Sequence, residues 1–246
     1  MTERLDKFLA NAGIGTRSEV KKMLRQKRVQ VNGEFPQKGD MKIDAQTDQI
    51  LADGVPVSSE KWEYYLLHKP AGCLTATKDA STPTVMDFIT SARKEQLFPV
   101  GRLDKDTEGL LLITDDGELA HQLLSPKKHV PKTYYARVTG EMEEKWCQEF
   151  EKGLDIGDEK LTLPASLRIL KIHPSENYSE VEITISEGRY HQIKRMCHVT
   201  GHDVLYLKRI SMGNLILDEK LEKGTFRKLE KEEIESLKKL GEKNDR

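Results

Sequence analysis

The sequence is poor in the features that mark several large protein classes. Its only three cysteines, Cys73, Cys147 and Cys197, lie far apart and are odd in number, which argues against a disulfide framework. No Cys-x-x-Cys pair occurs, and the seven histidines show no zinc-ligand spacing. His198 and His202 stand four apart, but Gly201 between them weakens a helical ligand pair. No apolar run approaches the roughly 18 residues that cross a bilayer. The opening Met-Thr-Glu-Arg-Leu-Asp has no apolar stretch of the secretory kind, so a cytoplasmic location is the expectation. A Walker loop is also missing. Neither sign of charge prevails: 40 Lys and Arg face 41 Asp and Glu, for a net charge of −1. A nucleic-acid partner would have to be held by a local basic stripe. A reduced protein without metal or cofactor is expected.

What is present is a chain of 246 residues, 37% hydrophobic and 33% charged. That suits a soluble globular protein with a highly charged surface, long enough for one large domain or two smaller ones.

Residues 3–11 place Leu5, Phe8 and Leu9 at the i, i+3, i+4 spacing of a short helix, broken by Gly13 and Gly15. Thr16 and Glu19 have the spacing of a capping box, which predicts a second helix to about Lys27. Its apolar stripe is Val20, Met23 and Leu24. Arg17, Lys21, Lys22, Arg25, Lys27 and Arg28 add six positive charges, opposed only by Glu19. Val29-Gln30-Val31 alternates as a strand and runs into Asn32-Gly33, a hairpin-turn signal. Ala52 to Trp62, with Asp53-Gly54 and Val55-Pro56, reads as the end of this module and a linker.

From Glu63 the texture changes. Tyr64 to Leu67 is a strand-like run ended by the loop signal Lys69-Pro70-Ala71-Gly72. Thr84 to Ile89 has Val85, Phe88 and Ile89 on one helical face. The polar segment Gly101-Arg102-Leu103-Asp104-Lys105-Asp106-Thr107-Glu108-Gly109 then feeds Leu110 to Thr114, a strand buried on both faces. A polar loop entering a buried strand is where catalytic groups can be held rigidly. Texture alone does not choose among Asp104, Asp106 and Glu108. Glu118 to Leu124 reads as a helix stopped by Ser125-Pro126.

Lys132 to Val138 alternates as a strand with Lys132, Tyr134, Ala136 and Val138 on one face. Trp146 and Phe150 fit the core side of a helix. Val181, Ile183 and Ile185 alternate ahead of Glu187-Gly188-Arg189-Tyr190-His191-Gln192-Ile193-Lys194-Arg195-Met196, where Ile193, Met196 and Cys197 have helical spacing. Leu229, Ile234, Leu237 and Leu240 form an amphipathic stripe in a charged tail that frays into Gly241–Arg246.

Together these segments resemble a known family. Arg4-Leu5-Asp6, the basic second helix and Val29-Gln30-Val31-Asn32-Gly33 are similar to the S4 RNA-binding module over roughly residues 2–50. Gly101-Arg102-Leu103-Asp104-x-x-Thr107-x-Gly109-Leu110-Leu111-Leu112, the segment around Tyr134 and Gly188-Arg189-x-His191-Gln192-Ile193-Lys194-Arg195-Met196 resemble the pseudouridine synthases of the ribosomal small-subunit type. The resemblance spans about Arg4 to Phe226. It implies an α+β fold: an S4 domain with linker over 1–60, a mixed and mostly antiparallel synthase sheet flanked by helices over 61–230, and a charged tail over 231–246.

The resemblance also implies roles. Asp104 aligns with the family's essential aspartate, Tyr134 with the tyrosine that packs on the target base, and Lys194 with the cation that pairs with the aspartate. Many relatives carry arginine at the Lys194 position, so one charged contact is expected here instead of a bidentate pair. Arg102, Ile193, Lys132, Arg189 and His191 fall at substrate-binding positions. Arg4, Arg17, Lys21, Lys22, Arg25, Lys27 and Arg28 are the implied RNA-binding cations. The implied reaction turns a uridine of ribosomal RNA into pseudouridine in a monomeric enzyme without membrane partner.

Ser125-Pro126-Lys127-Lys128-His129-Val130 points to the small-subunit branch, hence to position 516 of 16S RNA. A large-subunit (23S) enzyme and a noncatalytic ribosome-assembly protein are the alternatives. Glycosidic hydrolysis would call for a second carboxylate.

Overall fold

The computed structural model describes residues 2–57 and 60–242. The chain divides into two compact units, Met1–Glu63 with Ile89–Leu97, and Tyr64–Phe88 with Phe98–Arg246.

The smaller unit contains strand β1 (Thr2–Arg4), helices α1 (Leu5–Asn11) and α2 (Arg17–Arg25), and strands β2 (Val29–Val31), β3 (Lys42–Asp44), β4 (Ile50–Ala52) and β5 (Val55–Pro56). The strands form two small antiparallel sheets, β1-β3 and β2-β4-β5. The core is the stripe expected of each helix, Leu5, Phe8 and Leu9 against Val20, Met23 and Leu24, closed by Val29, Val31, Ile43 and Ile50. α2 starts on a complete capping box: the Glu19 amide donates to Thr16 Oγ1 at 3.3 Å and the Thr16 amide donates to Glu19 Oε2 at 2.7 Å.

Two expectations change here. Asn32-Gly33 does make a tight turn with both residues at positive φ, but β2 pairs with β4 and meets the turn's far side only through the bridge Val31–Glu34. Asp53-Gly54 falls at the end of the module, before the linker. It is the two-residue turn of the β4–β5 hairpin, with φ of 52° and 79°. Ile89–Leu97 also joins this unit. Arg93, only 4% exposed, donates to the carbonyls of Lys61 and Glu60 at 3.0 and 3.1 Å and stands 3.5 Å from Glu63.

The larger unit holds β6 (Tyr64–Lys69), β7 (Phe98–Pro99), β8 (Glu108–Thr114), α3 (Gly117–Leu124), β9 (Lys132–Thr139), α4 (Lys145–Lys152), β10 (Ser166–His173), β11 (Tyr178–Ile185), α5 (Gln192–Val199), β12 (Val204–Met212), β13 (Leu215–Ile216), β14 (Phe226–Lys228) and α6 (Lys231–Glu242). Its sheet runs β10-β11-β9-β12-β8-β6-β14, with β7 on β8 and β13 on β12. Every pairing is antiparallel except β12 with β8. The fold is therefore α+β, with a mixed, mostly antiparallel sheet.

The apolar run of β8 is buried at every position, and so is β6 beside it. β9 and β11 alternate, burying Tyr134, Ala136 and Val138 and Val181, Ile183 and Ile185 on one face. Gly109 has φ +108°, and a Cβ there would collide with the backbone of Arg209, so β8 and β12 can approach only at a glycine.

The helix expected from Thr84 is a single 3₁₀ turn, Val85–Phe88, because the chain passes into the other unit at Ile89. The C-terminal stripe forms α6, which packs on α3 and buries Leu237, so this segment is part of the larger unit and no detached tail. The end of that segment beyond Glu242 lies outside the described residues. Among the described residues no helix is long and apolar enough to cross a membrane, and no group of His, Cys, Asp and Glu could hold a metal ion.

Candidate active site

Between β7 and β8 the chain makes the polar loop that contains Asp104, and two side chains from outside fix it. Lys69, at the end of β6, is fully buried and donates from Nζ to the carbonyls of Pro70, Asp104 and Thr107 at 3.0, 3.0 and 2.8 Å. Burial pulls this ammonium below the usual lysine pKa, and the carbonyls supply the hydrogen bonds that water would give. Thr75 Oγ1 donates to the Leu103 carbonyl at 2.7 Å and accepts from the Leu103 amide at 3.1 Å. The loop backbone is held on both sides of the carboxylate.

The Asp104 side chain is 30% exposed, and two groups from the 189–194 segment meet it. Lys194 Nζ stands 3.1 Å from Oδ2, and His191 Nε2 is 3.6 Å from Oδ1. Lys194 also donates to both oxygens of Asp106, at 2.7 and 2.9 Å, so one ammonium bridges two carboxylates. Burial works against the charged lysine, but its hydrogen bonds to Asp106 and Asp104 prevail and raise its pKa above the usual value. Burial likewise works against the Asp106 carboxylate, and Lys194 outweighs it to lower that pKa. The contact to Asp104 is single, while both oxygens of Asp106 meet the same ammonium.

A cavity of about 800 Å³ opens beside Asp104. Arg102, Asp104, Lys132, Tyr134, Arg189, His191, Ile193 and Lys194 all line it, so the larger unit brings together every catalytic and substrate-binding residue expected of it. Tyr134 and Ile193 are buried apolar surfaces in its wall. His191 sits in the left-handed region, φ +48°, and its ring stacks on Tyr190 at 3.9 Å and 17°. Tyr190 is 77% exposed.

Arg189 departs from its expected role. Its guanidinium donates to Glu187, Asp158 and the carbonyls of Lys160 and Leu161, at 2.6–3.2 Å. Those bonds tie the 158–161 loop to the entry of α5 and leave little for a ligand. Arg102 is exposed, with no ion-pair partner among the described residues. Glu108 points elsewhere: Tyr206 donates to it at 2.6 Å and Lys223 pairs with it at 2.8 Å.

Sequence reasoning missed Lys69, Thr75 and Arg209, and saw Asp106 without its partner. Arg209 lines the cavity from β12. Its only sequence signal is an arginine within a strand pattern, and that of Lys69 is a lysine closing an apolar one.

In the smaller unit, Arg17, Lys21, Lys22, Arg25 and Lys27 are exposed and without ion pairs among the described residues. Arg4 and Arg28 differ. Arg4 holds buried Asp6 through two bonds of 3.0 and 2.7 Å, and Arg28 holds Asp53 through two of 2.6 Å. Both are committed to their own module, so of the seven expected cations those without an ion pair among the described residues are the five on and just after α2.

Comparison with known proteins places the chain in a family. Residues 63–199 match the RNA pseudouridylate synthase family, and residues 3–42 match the S4 domain. An uncharacterized RNA pseudouridine synthase of Bacillus subtilis, YtzG, is 43% identical, the match covering 95% of this chain and 98% of that protein. The ribosomal small subunit pseudouridine synthase A of Haemophilus influenzae is 40% identical over 95% of this chain and 99% of its own length. The ribosomal large subunit pseudouridine synthase B of Bacillus subtilis is 36% identical over 98% and 97%. A crystal structure of a pseudouridylate synthase superposes with TM-score 0.67 at 40% identity, covering 95% of this chain and 99% of that one. The chain belongs to the RNA pseudouridylate synthase family, isomerases that act on RNA, and carries an S4 domain ahead of its synthase domain.

Proposed function

We propose that this protein isomerises one uridine of small-subunit ribosomal RNA, position 516 of 16S RNA, with Asp104 as the catalytic carboxylate. The observation that carries this reading is Asp104 itself, fixed by a pinned loop, 3.1 Å from Lys194 and open to the cavity. The reaction breaks the bond from ribose C1′ to N1, turns the base and joins C1′ to C5. Nothing is oxidised and no group is gained, so the residues present can serve without a cofactor.

The target base must leave its stack to reach the cavity, as for other enzymes that act on a base. Tyr134 and Ile193 offer it an aromatic face and an apolar floor. Arg102 is placed to hold the flipped nucleotide. Asp104 then engages the nucleotide as nucleophile or base. Lys194 orients the carboxylate and His191 flanks it. Asp106 shares Lys194 and tempers its charge. In the smaller unit, the cations of α2 take RNA phosphates. The protein acts as a cytoplasmic monomer.

The small-subunit assignment rests on the 40% likeness to the small-subunit enzyme together with the Ser125–Val130 segment. The 36% likeness to a large-subunit enzyme keeps that substrate as the second reading. Undermodified small- and large-subunit RNAs and their assembly intermediates, incubated with the protein and mapped by chemical labelling and primer extension, separate the two. A new pseudouridine at position 516 of the small-subunit RNA is expected. Product only on large-subunit RNA would move the assignment, and product on neither would remove it.

A further inference from the structure

One wall of the catalytic cavity carries two cations and no carboxylate. Lys132, at the start of β9, and Arg209, on β12, both line it. Arg209 lies directly across the strands from Tyr134. It is 2% exposed; its Nε donates to the Leu110 carbonyl at 2.8 Å, and its Nη2 is buried without a hydrogen-bond partner among the described residues. Lys132 donates to the Val130 carbonyl at 2.8 Å. Neither forms an ion pair among the described residues, and the charge Lys132 feels from its neighbours is that of Arg209, of the same sign.

The other charged groups of the cavity are arranged differently. Asp104 belongs to Lys194 and His191, Glu187 to Arg189, and Arg102 and Lys105 are exposed. A buried guanidinium beside a half-buried ammonium, without a counter-ion among the described residues, is costly, and an arrangement of this kind is characteristic of a site whose ligand brings the missing negative charge.

We propose that Lys132 and Arg209 form an anion-stabilising wall that receives the negative charge developing on the uracil ring. The inference rests on the synthase reading of this cavity and names the part of the substrate that faces β9 and β12. In a route through C1′, the Asp104 carboxylate bonds C1′ as the C1′–N1 bond breaks. The electron pair passes to the ring and is shared by its O2 and O4 carbonyls. The ring turns, C5 bonds C1′ and the carboxylate is released; the C5 proton leaves to solvent and N1 takes one up. Attack on the base, or removal of a ribose proton with loss of the base, also loads charge onto the ring carbonyls. Donors fixed beforehand stabilise such charge without reorganising, and each contributes on the order of 10²-fold in rate.

Lys132 makes the wall titratable. Burial, and then the nearby Arg209, bring its pKa down to about 8, so its ammonium is lost as pH rises through that value. The test is the single-turnover rate of pseudouridine formation at saturating enzyme, between about pH 6 and 10, beside the RNA dissociation constant. The wild-type rate should fall above about pH 8. Lys132→Arg, which stays charged, should move that fall to higher pH. Lys132→Met should lower the neutral-pH rate about 10²-fold with RNA affinity nearly unchanged.

An alkaline fall that Lys132→Arg leaves in place would overturn the proposal. So would a Lys132→Met variant that binds RNA more weakly yet reacts at the wild-type rate once bound, since that assigns the wall to a phosphate. Arg209→Lys gives an independent arm and should lower the rate without moving the pH limb; a wild-type rate there would also overturn it. Failure of the synthase reading looks different, because the wild type would then form no pseudouridine on small- or large-subunit RNA at any pH, whatever stands at position 132.

Discussion

In the smaller unit the cations of α2 stand in solvent without ion-pair partners among the described residues, whereas in the larger unit Lys69 and Arg209 are sealed inside and Lys194 is clamped between two carboxylates. The contrast separates two uses of positive charge. Exposed cations act through a screened field, add roughly independently and tolerate exchange of Lys for Arg. Buried cations act through geometry: each holds particular atoms at hydrogen-bond distance, and losing one leaves those atoms unsatisfied. Substitutions should therefore change rate or stability in one unit, and RNA affinity and salt dependence in the other.

Asp104 itself aside, the largest effect is expected at Lys194. Lys194→Met should lower the rate of the bound complex about 10²-fold by freeing Asp104 and Asp106, with Lys194→Arg recovering much of it; equal rates for Met and wild type would show that the bridge is idle. Next is Lys69→Met, which removes the buried ammonium that holds the Pro70, Asp104 and Thr107 carbonyls together. It should cost about 3 kcal/mol of stability in denaturant unfolding and reduce activity as well, and an unchanged midpoint would mean that the loop holds itself. Tyr190→Ala should follow with about 1 kcal/mol, roughly fivefold in KM and little in kcat, if the exposed ring stacks a base beside the target. Tyr190→Phe should behave as wild type. The smallest effect is expected from Lys21→Glu or Arg25→Glu. Each should weaken RNA binding and reduce the salt slope by about one, with the bound-state rate intact. An unchanged slope would take α2 out of the RNA interface.

The same division explains what could be read from the sequence. Features set by neighbours in the chain were legible: the Thr16–Glu19 box, the α2 stripe, the β8 run and the alternation of β9 and β11. The cavity residues were legible only through family resemblance, since composition and spacing left Asp104, Asp106 and Glu108 equal. The structure separates these three by partner: Lys194 for the first two, Tyr206 and Lys223 for the third. Features that depend on distant chain meeting in space were not legible. Arg93 completes the smaller unit from 32 residues beyond Lys61, bonding back to Glu60 and Lys61. Lys69 meets the 104–107 carbonyls, and Arg209 meets Leu110 across the one parallel pairing of the sheet. Arg189 and Arg28 show the converse, since basic residues inside a motif can be spent on the protein itself.

The most direct measurement is single-turnover pseudouridine formation by Asp104→Asn on an RNA that the wild type modifies, with binding measured on the same sample. The account expects unchanged affinity and a loss of at least about 10³-fold in rate. Product formed near the wild-type rate by bound Asp104→Asn would contradict it and move the chemistry to another residue of the cavity.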